Sequence, residues 1–338
     1  MSTQTRRLFL KRVGGAAMLA ATGRGLGATS RPAEDQTPPL PHLTTIPSSG
    51  PVPESTKSVV VDNRNPMILA GPQIHEAALA STIAEAVRLA TVQDNTDQAW
   101  RKLLRPDDVI GVKFDEVGYE KLNTTDVFAE QLVRLLERAG FRRDRIVLID
   151  VPEALAGRLK TRPRAFGWEE AETSFGSGSE RLAKVLGQVT ALINVPFLKT
   201  DNISGIAGAL RNAALPFVRR QARYFGSGGS PFIADIAALP QIRSKLRVHI
   251  VNGLRAVFDK GPDVHPECTW PHAGILVSTD PVAVDAVALE VINTRRAEAK
   301  LPPIGDGKGR LAHVRAAAQR RLGTDDQDYI RLISPHNT

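Results

Sequence analysis

The chain has 338 residues, of which 42% are apolar and 24% charged. That is the profile of a soluble globular protein with room for one large or two medium domains. The formal charge of +8 sits mostly at the start: residues 1–28 hold Arg6, Arg7, Lys11, Arg12 and Arg24 and no acid, so 44 bases less these five leave 39 against 36 acids, or +3. So small a charge gives no support to nucleic-acid binding, and no nucleic-acid partner is expected. The single cysteine, Cys268, excludes an intrachain disulfide, a lipid-anchoring cysteine near the start and an iron–sulfur cluster held by several thiolates of this chain.

Thr5-Arg6-Arg7-Leu8-Phe9-Leu10-Lys11, followed by a weakly apolar run from Val13 to Thr22 and small residues before Ala28, reads as a twin-arginine export signal over 1–28. The run is about half the ~20 residues that span a bilayer, and no later stretch is apolar enough, so no stable membrane insertion is expected. The twin-arginine export machinery is therefore an expected partner, and the expected location is periplasmic or secreted, reached in the folded state. Residues 29–55, rich in Pro, Ser and Thr, read as a flexible tether.

From residue 56 the pattern is that of one α/β domain. Ser58 to Val61 is a short β-branched run. Leu79, Ile83, Ala86, Val87 and Ala90 lie on one face of a helix over about 75–90. Val109 to Phe114 reads as a strand, and Phe128, Leu132, Leu135, Leu136 and Ala139 as a helix capped by Thr124 or Thr125 and stopped by Gly140. Arg145 to Asp150 is a strand again, and residues 151–187 give no clear pattern. Strands resume at Ala191–Val195, Leu246–Asn252 and Ala273–Thr279, with a long loop from Gly253 to Pro271 between the last two. Asp280-Pro281 reads as an N-cap and first-turn proline for a helix over Val282 to Ile292, apolar nearly all round and so buried. A helix over about 308–321 and a strand from Tyr329 to Ile333 close the chain. Apolar strands alternating with helices predict a three-layer α/β domain, a mostly parallel β-sheet covered by helices on both faces.

The densest polar stretch, Thr190 to Pro216, opens at the end of a buried-looking strand. It brings Asn194, Lys199, Thr200, Asp201, Arg211 and Asn212 toward the carboxyl edge of the sheet, where ligands collect in open α/β folds. Lys113 ends another strand at the same edge. A lysine there binds a carboxylate or phosphate or acts as a base where burial lowers its pKa; alternatively it is a structural partner of Asp115, Asp201 or another acid. Ser204 to Gly208 presents amides at a helix start or forms a plain turn; it is neither a Walker loop nor a dinucleotide fingerprint. Asp285, one turn into the apolar helix, must be paired or coordinated. The choices are Lys199, Arg211, a metal, or backbone amides of a neighbouring loop. His265, Cys268 and His272 have the spacing of three metal ligands, but Pro266 and Pro271 restrict them and no second cluster supports them, so no metal site is expected. His249 reads as a packed histidine.

INVPFLKT with SGIAGALRN, VHIVNG, Gly261-Pro262 and ILVSTDPVAVDAVA together resemble the domain-of-unknown-function family 362, over about residues 57–334. Some members of that family carry ferredoxin-like iron–sulfur domains, which implies redox settings. This chain has no such domain, so redox chemistry here needs a borrowed cofactor, whose identity the sequence leaves open. It departs from the family at Asp201, where members often have histidine, at Asn252 (aspartate), Arg211 (lysine) and Asp115 (asparagine). The expectation is an enzyme acting on a small anionic molecule, with Lys199, Lys113 and Asp285 as catalytic candidates and Asn194, Thr200, Asp201, Arg211 and Asn212 binding the substrate. The alternatives are a ligand- or cofactor-binding protein without turnover, or a structural partner in an exported complex.

Overall fold

The computed structural model describes residues 56–70, 73–305 and 311–335, all within the unit Gly50–Thr338. The expected export signal (1–28) and tether (29–55) lie outside the described residues. The strands are β1 (Ser58–Arg64), β2 (Ile110–Phe114), β3 (Ile146–Ile149), β4 (Trp168–Phe175), β5 (Gly178–Ala183), β6 (Ala191–Val195), β7 (Phe197–Asp201), β8 (Gly205–Ile206), β9 (Leu246–Val257), β10 (Thr269–Trp270), β11 (Gly274–Ser278) and β12 (Ile330–Ile333). The helices are α1 (Glu76–Ala90), α2 (Thr96–Leu103), α3 (Tyr119–Leu122), α4 (Thr125–Arg138), α5 (Glu153–Arg158), α6 (Val185–Gln188), α7 (Ala209–Ala214), α8 (Phe232–Ala237), α9 (Pro240–Arg243), α10 (Pro281–Glu298) and α11 (Ala312–Gln319).

The central sheet runs β12-β1-β11-β9-β6-β2-β3. Only β11 opposes its neighbours; β12–β1, β9–β6, β6–β2 and β2–β3 are parallel. Successive strand side chains point to opposite faces, and the apolar ones divide accordingly. Val61, Ile110, Val112, Ile193, Val248, Ile250 and Ile275 share one core with α1, α2 and α4. Val60, Val147, Leu192, Val251 and Leu276 share the other with α6 to α11. This is the three-layer architecture that the strand–helix alternation predicts.

Several boundaries differ from expectation for physical reasons. Lys199 lies in a strand that was not expected, β7. Pro196 interrupts the run after β6 by one residue, its carbonyl accepts from the Asn252 amide at 2.7 Å, and the chain then resumes pairing along β9. β9 in turn continues to Val257, well past the expected end at Asn252. β11 stops opposite Gly253, but β7 and β10 take over its edges, so the backbone groups stay paired. The expected long loop is correspondingly shorter. Thr124 precedes α4 without capping it; its hydroxyl accepts from Asn252 Nδ2 at 3.0 Å. Residues 168–183 form the β4–β5 hairpin, and α2, with its buried Trp100, packs beside α1.

Asp280 does cap α10: its Oδ1 accepts from the amides of Val282 (2.8 Å) and Ala283 (2.9 Å), and Pro281 occupies the first turn. α10 is buried along most of its length, as its uniform apolarity predicts. No helix among the described residues is long and apolar enough to cross a membrane.

Candidate functional site

On the α7 side of the sheet the alternation breaks. Lys113, Asn194 and His249 stand side by side on β2, β6 and β9, in direct register, where neighbouring positions are apolar. All three are essentially buried. Buried polar groups persist only when hydrogen-bonded, and α7 supplies the partner, Asn212.

The bonds run in one direction. Lys113 Nζ donates to Asn212 Oδ1 (2.9 Å), Asn212 Nδ2 to Asn194 Oδ1 (2.8 Å), and Asn194 Nδ2 to both Ala209 O (2.9 Å) and His249 Nδ1 (3.0 Å). Burial pushes the His249 imidazole down to about 3, so it is neutral, and its Nδ1 is the acceptor. His249 is thus a packed histidine that also terminates this chain.

Lys113 Nζ also donates to Phe114 O and pairs with Asp150 Oδ2 at 2.8 Å. With Asn212 that makes three acceptors for three N–H groups. Asp150 follows β3 with a left-handed backbone (φ 59), a conformation aspartate tolerates better than branched residues do. Its other oxygen pairs with Arg164 at 2.8 Å.

Lys199, its side chain 0% exposed, pairs with Asp115 Oδ2 at 2.9 Å and donates to Val117 O. Burial lowers its pKa, with Asp115 opposing that shift. Arg211, 14% exposed, has Asp201 as its ion-pair partner at 3.2 Å. Asp201 spends its other oxygen on Ile203 and Ser204, bracing the turn that leads into β8, so Ser204 to Gly208 is the end of that turn, the short strand β8 and the residues that lead into α7.

These groups frame a cleft of about 360 Å³ at the carboxyl ends of β2 and β3. Lys113, Asp115, Asp150, Arg164, Arg211 and Asn212 face it, and Phe166, Trp168 and Phe217 contribute walls. Asn194 stands behind Asn212, and Lys199 reaches the cleft through its partners Asp115 and Val117. Of the remaining candidates, Thr200 and Asp201 line a separate cavity of about 590 Å³. Among the described residues that line it, Arg296 pairs with Asp259, and Lys260 pairs with Glu267 outside the lining.

Asp285 is elsewhere too. Both its oxygens accept from the first amides of α7, Ala209 (2.5 Å) and Leu210 (2.9 Å), which is the backbone alternative among its four predicted roles. Burial pushes its pKa up to about 7 against the pull of those amides. Gly208 permits the approach, since a Cβ there would lie 2.1 Å from Asp285 Oδ1. Asp285 therefore fixes the helix that carries Arg211 and Asn212.

Among the described residues no group of three His, Cys, Asp or Glu is placed to hold a metal. His272 Nε2 faces Asp62 at 3.1 Å, Cys268 is buried with its thiol pKa raised by burial, and His265 is half exposed.

Sequence reasoning missed Asp150 as a site residue, although it closes a predicted strand at the same sheet edge as Lys113. Arg164, Phe166 and Trp168 lie in the stretch without pattern. His313, inside the predicted final helix, is fully buried in the field of Asp201 and Arg211. Burial pushes it down to about 4, and neither ring nitrogen has a hydrogen-bond partner among the described residues. Nothing in the sequence marks it.

Fold and cleft together define an α/β protein with a polar pocket at the carboxyl edge of a mostly parallel sheet. Within it, residues 169–290 match the model of a family described as a domain of unknown function (DUF362). The match is narrower than the 57–334 of the sequence resemblance: it takes in Asn194, Lys199, Arg211, Asn212 and Asp285, and leaves out Lys113, Asp115, Asp150 and Arg164. No curated protein matches the chain.

Proposed function

We propose that this is an exported enzyme, carried folded by the twin-arginine route to the periplasm or beyond, that acts on a small anionic substrate in the β2–β3 cleft. The observation that carries this reading is the state of Arg211. It faces the cleft, and among the described residues its one ion-pair partner is Asp201, on a single guanidinium nitrogen. Most of its planar fork is left to bind a carboxylate or phosphate.

Lys113 has no N–H to spare. Its role is to hold Asp150 and Asn212 in place around the pocket, which makes it a positioning residue. Proton transfer falls to Lys199 and Asp115: burial lowers the lysine pKa, and Asp115 lines the cleft. A redox reaction on this scaffold draws on an external cofactor.

Binding without turnover is the second reading, favoured by the fact that both lysines are ion-paired and almost wholly covered. A thermal-melting screen of small acids on wild type and Arg211→Met tests the shared core of both readings. Stabilisation by acids in the wild type only is expected; equal response of the two proteins contradicts it. Turnover of a stabilising acid then separates enzyme from binder.

A further inference from the structure

The cleft has a second chamber behind it. Leu148, Val151, Ala156 and Pro163 enclose a largely apolar hollow of about 210 Å³, and this hollow and the polar cleft share two lining residues, Arg164 and Phe166. The shared wall is a stack: the Arg164 guanidinium carbon sits 4.4 Å from the centre of the Phe166 ring, while Arg164 Nη1 is held by Asp150. A guanidinium fixed in this way is stacked on one face and tethered at one nitrogen, with its other edges directed to donors' work.

Phe166 is 53% exposed. A large aromatic ring left open at the junction of a polar pocket, lined by both cations and carboxylates, and an apolar one is a surface that gains by being covered. The hollow is large enough to be used, since an apolar cavity of ~150 Å³ accommodates a benzene ring. Arg211, the proposed anion contact, lines the polar cleft that this wall bounds.

From this juxtaposition we infer that the ligand is an organic acid with one compact apolar group, of aryl or branched-alkyl size. Its carboxylate meets Arg211 and the free edge of Arg164, and its apolar group lies against Phe166 at the mouth of the hollow. The inference rests on the anion-binding reading above and names its substrate class. It excludes bare inorganic anions and short hydrophilic acids as the preferred occupants, because they leave the Phe166 ring and the hollow uncovered.

The test is a calorimetric titration of the full-length protein with phenylacetate, acetate, inorganic phosphate and benzyl alcohol, repeated on Phe166→Ala. Phe166 is a surface side chain, so the variant folds. Phenylacetate is expected to bind at least about tenfold more tightly than acetate, the return from burying a ring-sized apolar surface. Benzyl alcohol is expected to bind more weakly than phenylacetate, and Phe166→Ala to shrink the phenylacetate-to-acetate ratio to about threefold or less. Acetate or phosphate binding as tightly as phenylacetate overturns the inference and leaves the anion cleft standing. A ratio unchanged in Phe166→Ala also overturns it. Binding of none of the three anions overturns both the inference and the reading beneath it.

Discussion

Lys199, which lies on β7 within the INVPFLKT stretch, pairs with Asp115 at 2.9 Å and not with Asp285. The pair is almost entirely removed from water, and Val117 O takes a second lysine N–H. Asp285 is meanwhile committed to the α7 amides. The two groups that looked like a possible ion pair in the sequence thus serve different elements.

Lys199→Met leaves Asp115 buried beside a methionine. Removing one partner of a buried pair costs about 3–5 kcal/mol, so a large loss is expected in denaturant melts. Lys199→Met/Asp115→Asn should recover most of that loss, and Lys199→Met/Asp285→Asn none of it. Recovery in the second double variant instead of the first would mean that the ion pair is wrongly assigned.

Asp285 carries a pH signature. Its folded-state pKa, about 7, lies above its ordinary 3.8, so the folded protein holds a proton that the unfolded chain releases earlier. Its contribution to stability is present in full below about pH 4 and is lost as the pH rises to about 7. The stability of wild type relative to Asp285→Asn should fall across that window, by on the order of a few kcal/mol, and stay flat above it. Urea melts of both proteins over the range check this. A difference that does not change with pH would show the carboxylate ionised throughout, with the Ala209 and Leu210 amides offsetting its burial.

Changing Arg6 and Arg7 together to lysine keeps the charge and removes the residue pair that, on the proposed twin-arginine reading, the export machinery recognises. The expected result is precursor retained in the cytoplasm, measured by cell fractionation. Normal periplasmic accumulation of the double variant would remove the twin-arginine route from the account.

Zinc should not be bound at His265, Cys268 and His272. His272 is engaged with Asp62, the buried thiol is held in its protonated form, and Pro266 and Pro271 flank the ligands. Elemental analysis of the purified protein should find no stoichiometric zinc that depends on Cys268; one zinc per chain, lost in Cys268→Ser, would contradict this.

The fold was legible because local pattern and tertiary structure agree. The β-branched runs at Ser58, Val109 and Arg145 and the apolar helix behind Asp280-Pro281 occupy the places their periodicity indicates. The candidate site was legible by residue type but not by pairing. Lys113, Arg211 and Asn212 follow from the rule that ligands gather at the carboxyl edge. Which acid each cation meets depends on contacts distant in sequence, as with Lys113 and Asp150 or Lys199 and Asp115, and no local pattern encodes them. Pro196 concealed β7, since a proline after a strand ordinarily ends it. The Arg164–Phe166 wall lies in the segment that showed neither helical nor strand periodicity, because the chain there is mostly loop and an exposed hairpin.

The role proposed for Arg211 is to bind an anion in the β2–β3 cleft. Its most direct test is equilibrium titration of a small carboxylic acid into wild type, Arg211→Met and Arg211→Lys. Arg211→Met takes the ion-pair partner from buried Asp201, so a denaturant melt of each variant accompanies the titration, while Arg211→Lys keeps a cation beside that carboxylate. The account predicts saturable binding in the wild type, a loss of at least about tenfold in Arg211→Met, the scale of a charge-assisted contact, and intermediate affinity in Arg211→Lys, where the charge remains without the fork. Equal affinity in all three proteins would contradict it.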